Sequence, residues 1–382
     1  MIPYSRQFIN SKDIKSVIKV LKSKFLTQGP MVEIFEKKLK KYAGAKYATA
    51  VSSATAALHI SCLALNLKKD DFLWTSPISF VASANCALYC GAKVDFIDID
   101  PDTFNISIDS LKLKLKKAKQ LNKLPKIIMP VHLAGSSCDM KQIYELSKKY
   151  KFKIIEDASH ALGGKYLSQK VGSCQYSDLT ILSFHPTKII TTGEGGAVLS
   201  NDKRVDVKLK ILRTSGINKN LNKKKLQSKG SWYYEQSLLG YNYRMNDISA
   251  ALGVSQIDKI DFFVRKRNLI AKKYKDKLAN LPIKFQKILL SNYSSHHLFI
   301  IRVPAKKRRV IFDKLRSSKV FVNIHYIPIY LQPYYKDLGF KKNMCQEAEN
   351  YYSEAISIPV FPKLSSSAQN RIISIIKKNL LS

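Results

Sequence analysis

An α/β fold, with a mostly parallel central sheet covered by helices on both faces, is predicted by three patterns in this 382-residue chain. Over the first two thirds, short β-rich runs alternate with amphipathic helical ones. Those β-rich runs are almost continuously apolar, as parallel strands buried on both faces require. Near Asn246 the alternation gives way to long helical stretches and isolated apolar runs, which suits a smaller α+β unit. The expected division is a large domain at 1–250, including an N-terminal arm, and a small C-terminal domain at 251–382.

In chain order, strands are expected at 47–51, 72–76, 93–97, 126–131, 153–157, 178–184 and 196–200. Helices at 54–65, 81–90, 108–119 and 140–149 fall between them. Residues 247–278 read as one long helix, or two with a bend. Beyond it, strands are expected at 298–303, 320–324 and 357–360, with helices at 308–317, 344–352 and 365–381. In a parallel sheet of this kind, chemistry collects beyond the carboxyl ends of the strands.

Composition narrows the function class. Hydrophobic content of 45% and a charged fraction of 24% suit a soluble globular protein. No apolar run is long enough to span a membrane, and the start has no basic segment followed by an apolar one. The six cysteines are scattered; Cys86 and Cys90 are spaced for one helix face rather than for a zinc knuckle. They read as reduced thiols in a cytoplasmic protein, and no metal site is expected. The net charge of +37 raises the possibility of a basic nucleic-acid binder or regulator. Against this, the positive residues are mostly lysine and are spread out, for example at 12–24, 112–119, 223–225 and 306–309. Nucleic-acid surfaces favour arginine and interleaved aromatics in one patch. An enzyme with an anionic substrate fits better.

The most informative run is SFHPTKIITTGEGG at 183–196, where Lys188 lies between an apolar strand and a Gly-rich turn. A partly desolvated lysine amine can form a Schiff base with a carbonyl cofactor. Asp157 ends another apolar strand, where an unpaired charge is costly; a protonated ring nitrogen would relieve it. The alternative is a helix N-cap. His160, three residues on, is either a partner for a phenolic oxygen or a structural histidine. Ser53, Ala54 and Thr55 open a helix after the first strand, either as an ordinary N-cap or as a phosphate site. Ser183 is a second strand-end hydroxyl. Phe80, after the second strand, can stack on a flat ring or belong to the core.

Taken in order, these residues resemble the fold-type I pyridoxal-phosphate enzymes, and within them the nucleotide-sugar aminotransferases of the DegT/DnrJ/StrS family. The resemblance covers nearly the whole chain. It includes LTQGP at 26–30, SAT at 53–55, EDASHALG at 156–163, the Lys188 run, GYNYRMN at 240–246 and HYIPIY at 325–330. It implies that Lys188 is the Schiff-base lysine, that Asp157 pairs with the pyridinium, that His160 contacts the ring oxygen and that Phe80 stacks. Ser53, Ala54, Thr55 and Ser183 would hold the phosphate of pyridoxal 5′-phosphate. Asn242 would reach the cofactor of a second subunit, which implies a homodimer with shared active sites. Arg244 would support that loop or meet a substrate anion. Many members have glycine where this chain has Ala54, but the backbone N–H remains.

The SAT variant, the segments at 77–80 and 158–161, and HYIPIY are similar to one branch of the family, in the pseudaminic acid pathway. That branch uses L-glutamate, giving 2-oxoglutarate, to aminate the 4-keto carbon of a UDP-linked 6-deoxy-N-acetyl-hexosulose. Tyr4, His325, Tyr326 and Tyr330 are then candidate substrate contacts; as a cluster they fit an interface or core patch equally well. A different 3- or 4-keto nucleotide sugar remains an alternative substrate. Dehydratases on this scaffold typically carry histidine in place of the lysine, so Lys188 argues against that activity.

Overall fold

The computed structural model describes residues 1–218, 229–230 and 232–381. The lysines at 223–225 lie outside the described residues. The central sheet has seven strands: β1 (Tyr47–Val51), β2 (Phe72–Thr75), β3 (Lys93–Phe96), β4 (Ile127–Met129), β5 (Lys153–Asp157), β6 (Leu179–Ser183) and β7 (Gly196–Ser200). Their spatial order is β1-β7-β6-β5-β4-β2-β3. All run the same way except β7, which lies antiparallel between β1 and β6. The expectation of a mostly parallel sheet therefore holds.

Burial explains the strand sequences. Every residue of β4, β6 and β7 is buried, so each reads as an unbroken small or apolar run. Helices α1 (Ser11–Leu21), α2 (Pro30–Ala43), α3 (Ala54–Ala64), α4 (Ala82–Tyr89), α5 (Ile108–Gln120), α6 (Met140–Tyr150) and α7 (Lys203–Leu212) belong to this layered unit. Helix α3 is apolar nearly all round because it runs beneath other helices; eight of its residues are buried. By contrast α5 and α6 carry an apolar stripe of Leu111, Leu115, Met140 and Ile143 against the sheet and present lysines outward.

The LTQGP run has a specific structural job. Gly29 and Pro30 start α2, and the carboxylate of Asp247 accepts the backbone N–H groups of Gly29 and Met31, each at 2.8 Å. That places a negative charge on the α2 N-terminus, where the helix dipole favours it. Asp247 opens α8 (Asp247–Ile257), which is followed at once by α9 (Ile260–Leu278). The stretch at 247–278 is thus two helices, and α8 packs against α1 and α2.

A second sheet is built from Lys284–Phe285, β8 (Phe299–Arg302) and β9 (Ala355–Ile358), all antiparallel. It is backed by α9, α10 (Ala305–Ser317) and α11 (Ser366–Leu381) around Tyr274, Ile301, Ile311 and Ile372. Between them lies the helix Gln346–Glu354. The expected strand at 320–324 does not form. That segment makes only isolated bridges, Ile2 with Val320 and Asn323 with Ser357, because the N-terminal arm reaches it at a single residue.

Candidate active site

The carboxyl ends of β1, β2, β5 and β6 converge on a cavity of about 600 Å³. Its lining includes Tyr4, Ser53, Ala54, Thr55, Phe80, Asp157, His160, Ser183, Lys188, His325 and Tyr326. Residues more than 300 apart in sequence thus meet in one place. The antiparallel strand β7 is what aligns two of the walls: Gly196 pairs with both Val51 of β1 and Ser183 of β6. A side chain at Gly196 would sit 2.6 Å from the Ala54 nitrogen and from the Ser53 backbone, so only glycine permits this approach.

Helix α3 begins at this junction. The Ser53 side chain accepts the N–H of Ala56 at 3.1 Å, and its carbonyl accepts the N–H of Ala57 at 3.0 Å. This leaves the N–H groups of Ala54 and Thr55, the first two of the helix, without an intrahelical acceptor. They open into the cavity mouth beside Ser183, an arrangement suited to a phosphate. Ser53 is therefore an N-cap that also lines the cavity.

Asp157 is buried, and among the described residues it has no ion-pair partner. Its Oδ2 accepts the Ser83 hydroxyl at 2.6 Å; its Oδ1 accepts the Ser159 hydroxyl at 2.6 Å and the Ser159 N–H at 3.1 Å. A buried carboxylate held only by neutral donors retains room for a cation. A protonated pyridine nitrogen fits that need. Lys188 lies across the cavity, half-buried, and its amine makes no hydrogen bond among the described residues. Burial pushes its pKa down to about 8, against the opposing pull of the Asp157 charge.

His160 is held neutral, well below its ordinary range, by burial first and then by its proximity to Lys188 and His325. The Ala134 N–H points to its Nδ1 at 3.4 Å, so the ring proton sits on Nε2, which faces the Tyr326 hydroxyl at 3.2 Å. His325 is likewise pushed down to about 3 by burial and the Lys188 charge, with Nδ1 2.8 Å from the Ser357 hydroxyl. Tyr4 brings the N-terminal arm into the site, its ring 5.4 Å from that of His325. Phe80 is 59% exposed, so it is not a core aromatic; its ring lines the cavity wall, 6.5 Å from that of Tyr326.

Three expected residues lie elsewhere. Tyr330 is wholly buried, with its hydroxyl donating to Glu349 Oε1 at 2.8 Å, and it does not line the cavity. As a substrate contact it is corrected to a core residue: in HYIPIY, the turn Ile329–Leu331 rotates it away from Tyr326 into the core beside Phe96. Asn242 and Arg244 also lie outside this cavity. Their segment runs along the end of β1, where Ser52 N–H donates to Tyr243 O at 2.8 Å and Arg244 bridges Val51. Asn242 is exposed there.

Sequence reasoning missed Ser83 and Ser159. Both were legible: Ser159 is two residues past Asp157, a spacing at which a serine hydroxyl reaches back to a carboxylate, and Ser83 lies three residues after Phe80. It also missed His185, Glu194 and Gln332, which line the cavity too.

The profile of the DegT/DnrJ/EryC1/StrS aminotransferase family matches residues 7–377. The chain is 40% identical over 370 residues to a UDP-4-amino-4,6-dideoxy-N-acetyl-beta-L-altrosamine transaminase of Campylobacter jejuni, covering 96% of this chain and 94% of that one. It is 33% identical to the spore coat polysaccharide biosynthesis protein SpsC of Bacillus subtilis, over 98% of this chain and 96% of that one. Among solved structures, Helicobacter pylori PseC, an aminotransferase of pseudoaminic acid biosynthesis, superposes with a TM-score of 0.90 at 32% identity, covering 100% of this chain and 99% of that one. A sugar aminotransferase of Streptococcus pneumoniae in its PMP form gives a TM-score of 0.92 at 28% identity, with 100% and 99% covered.

Proposed function

This chain belongs to the DegT/DnrJ/EryC1/StrS aminotransferase family and is a pyridoxal-phosphate-dependent transaminase, and from that premise we propose that it aminates the 4-keto carbon of a UDP-linked 6-deoxy-N-acetyl-hexosulose, with L-glutamate as donor. The single observation that carries the chemistry is the shared cavity of Lys188 and Asp157. The choice of sugar rests on the Campylobacter relative, at 40% identity over nearly the whole chain.

Bound pyridoxal phosphate supplies an electron sink for the carbon that loses a proton. The chain's own residues do the rest. The free N–H groups of Ala54 and Thr55, with the Ser53, Thr55 and Ser183 hydroxyls, hold the phosphate. Phe80 covers one face of the ring. Asp157, oriented by Ser83 and Ser159, holds the proton on the ring nitrogen. His160, neutral with its proton on Nε2, donates to the ring oxygen. Lys188 would hold the cofactor through Nζ at rest, and the same nitrogen, once freed by the donor, would be the base that moves the donor α-carbon proton. Holding that base in place converts a bimolecular proton transfer into an intramolecular one, worth up to about 7–11 kcal/mol of barrier. Tyr4, His325 and Tyr326 form the wall that meets the sugar nucleotide.

The same reading makes the protein a cytoplasmic homodimer. Asn242 is exposed and outside its own cavity, which suits a residue that completes the partner's phosphate site, with Arg244 bracing the segment. It also divides the chain into a cofactor-binding unit at 1–250 and a smaller unit at 251–382 that supplies His325 and Tyr326. Incubation with glutamate and a panel of UDP-linked keto sugars, followed by product identification, tests the substrate. Amination at carbon 4 with stoichiometric 2-oxoglutarate is expected. Preference for a 3-keto sugar, or no amination at all, would refute the assignment.

A further inference from the structure

Asp157 lines the cavity, and its neighbour Glu156 lies on the other face of β5, as alternation along a strand requires. Glu156 is buried there, and its carboxylate ties three segments together. Oε2 accepts the Nε2–H of His132, just past β4, at 2.7 Å. Oε1 accepts the Thr180 hydroxyl, on β6, at 2.9 Å, and also the Ser177 hydroxyl. Burial raises the Glu156 pKa, but the hydrogen bonds from His132, Ser177 and Thr180 outweigh it and hold the carboxyl below its ordinary range. His132 is itself wholly buried, with the Cys138 N–H directed at its Nδ1 at 3.2 Å. Neither His132 nor Glu156 lines the cavity.

The pair nonetheless reaches two groups that do. The His132 N–H donates to the Asp157 carbonyl at 3.1 Å, and the Asp157 N–H donates to Pro130 O at 2.9 Å, so the chain just past β4 grips the Asp157 backbone on both sides. His132 also opens the tight turn at 132–138. The Gly135 N–H returns to His132 O at 3.2 Å. Ala134, at φ 60°, aims its N–H at Nδ1 of His160 at 3.4 Å, which leaves the His160 proton on Nε2. The Cys138 N–H on the His132 ring closes the far end of the same turn.

A buried imidazole–carboxylate pair is a weak source of stability, because the cost of drying both groups offsets their attraction. What it supplies here is direction. Glu156 can only accept, so His132 must donate from Nε2, and that orientation turns Nδ1 toward the Cys138 N–H. Ring, turn and strand end are thereby fixed together.

We propose that His132 and Glu156 are positioning residues for the amino transfer, a buried pair behind the cavity wall that fixes the main chain of Asp157 and the tautomer of His160. The inference rests on the reading of Asp157 and His160 as partners of the cofactor's ring nitrogen and ring oxygen. Without the pair, both would donate to or hold the ring less well, while the residues that meet the sugar nucleotide stay in place.

The test replaces the pair at once by apolar side chains of similar size, His132→Met with Glu156→Met. The fold should survive, since such swaps are often neutral, and the Ser177 and Thr180 hydroxyls, 3.5 Å apart, can satisfy each other. With pyridoxal phosphate bound, kcat should fall by up to about a hundred-fold with KM unchanged, the cost of misplacing a reacting group rather than of losing a binding contact. Weaker donation to the ring leaves more electron density on the bound cofactor, so its yellow colour should persist to higher pH. His132→Gln, which keeps a donor facing Glu156, should restore both readouts. A paired variant with the wild-type kcat and colour titration overturns the proposal. Asp157→Asn serves as the control and should move the colour titration the same way. If it does and the paired variant does not, only the positioning role falls; if it does not, the reading of Asp157 falls and the positioning role with it. Nitrogen-15 spectra of histidine-labelled wild-type apoprotein need no variant. They should show the His160 proton on Nε2, and a proton on Nδ1 instead overturns the proposal even if the paired variant misfolds.

Discussion

The titration of Lys188 gives the sharpest prediction, because two opposed influences set it and one can be removed. Burial drives the amine toward its neutral form, and the Asp157 carboxylate pulls it back, leaving a pKa of about 8. At pH 7 the free-amine fraction is then about 9%, against about 0.03% for an ordinary lysine, a roughly 300-fold gain in reactive nucleophile. Asp157→Asn removes the restoring charge and leaves the burial, so the inflection should move below 8. The free amine at pH 7 can rise at most about eleven-fold, since it cannot exceed full deprotonation. Catalysis should move the other way, because asparagine cannot hold a proton on the ring nitrogen. The assay is competitive acetylation of the apoprotein with acetic anhydride across pH, reading the Lys188 peptide by mass spectrometry, with transaminase activity measured in parallel. An inflection near 10.5 in the wild type, or one that Asp157→Asn leaves in place, would refute the reasoning.

Further expectations follow from single contacts. Lys188→Ala should abolish both transamination and the yellow colour that forms with pyridoxal phosphate; retained turnover would place the base elsewhere. Ser83→Ala removes a 2.6 Å hydrogen bond to a buried carboxylate, and the loss of about 1.5–3 kcal/mol should lower kcat about 10–100-fold with little change in the melting temperature. Gly196→Ala puts a methyl group 2.6 Å from the Ala54 nitrogen, so cofactor titration should show weakening of about ten-fold or more. Away from the site, Lys259→Met strands the buried carboxylate of Asp13, which Lys259 holds at 2.5 Å, and should cost about 3–5 kcal/mol in denaturant melts. Burial raises the Asp13 pKa, but its hydrogen bonds from Lys259, Ser255, Asn10 and Gln256 outweigh that and lower it. The pair therefore stabilises the fold above the ordinary aspartate range. That contribution fades as pH falls through the depressed value, so the wild-type advantage over Lys259→Met should shrink in acid.

Much of the site was legible along the chain because strand ends in a parallel sheet are sites by construction. Each apolar run ending in a polar motif marked a carboxyl edge, and four such edges supplied Ser53–Thr55, Phe80, Asp157–His160 and Ser183–Lys188. Segments that read poorly were those whose pairing is non-local. The stretch 320–324 has strand composition but meets the N-terminal arm and Ser357 at one residue each. Tyr330 looked like its neighbour Tyr326, and only the turn at Ile329–Leu331 sends it into the core.

Residue type and local order alone thus determined the fold class and singled out Lys188 and Asp157 as candidates, because short-range periodicity and strand-end chemistry are written in consecutive residues. Which groups share a cavity, which histidines stay neutral and which tyrosine faces solvent were decided by the tertiary structure. Desolvation and long-range charge depend on what surrounds a side chain in space, and residues such as Tyr4, Lys188 and His325 become neighbours only when the chain closes on itself.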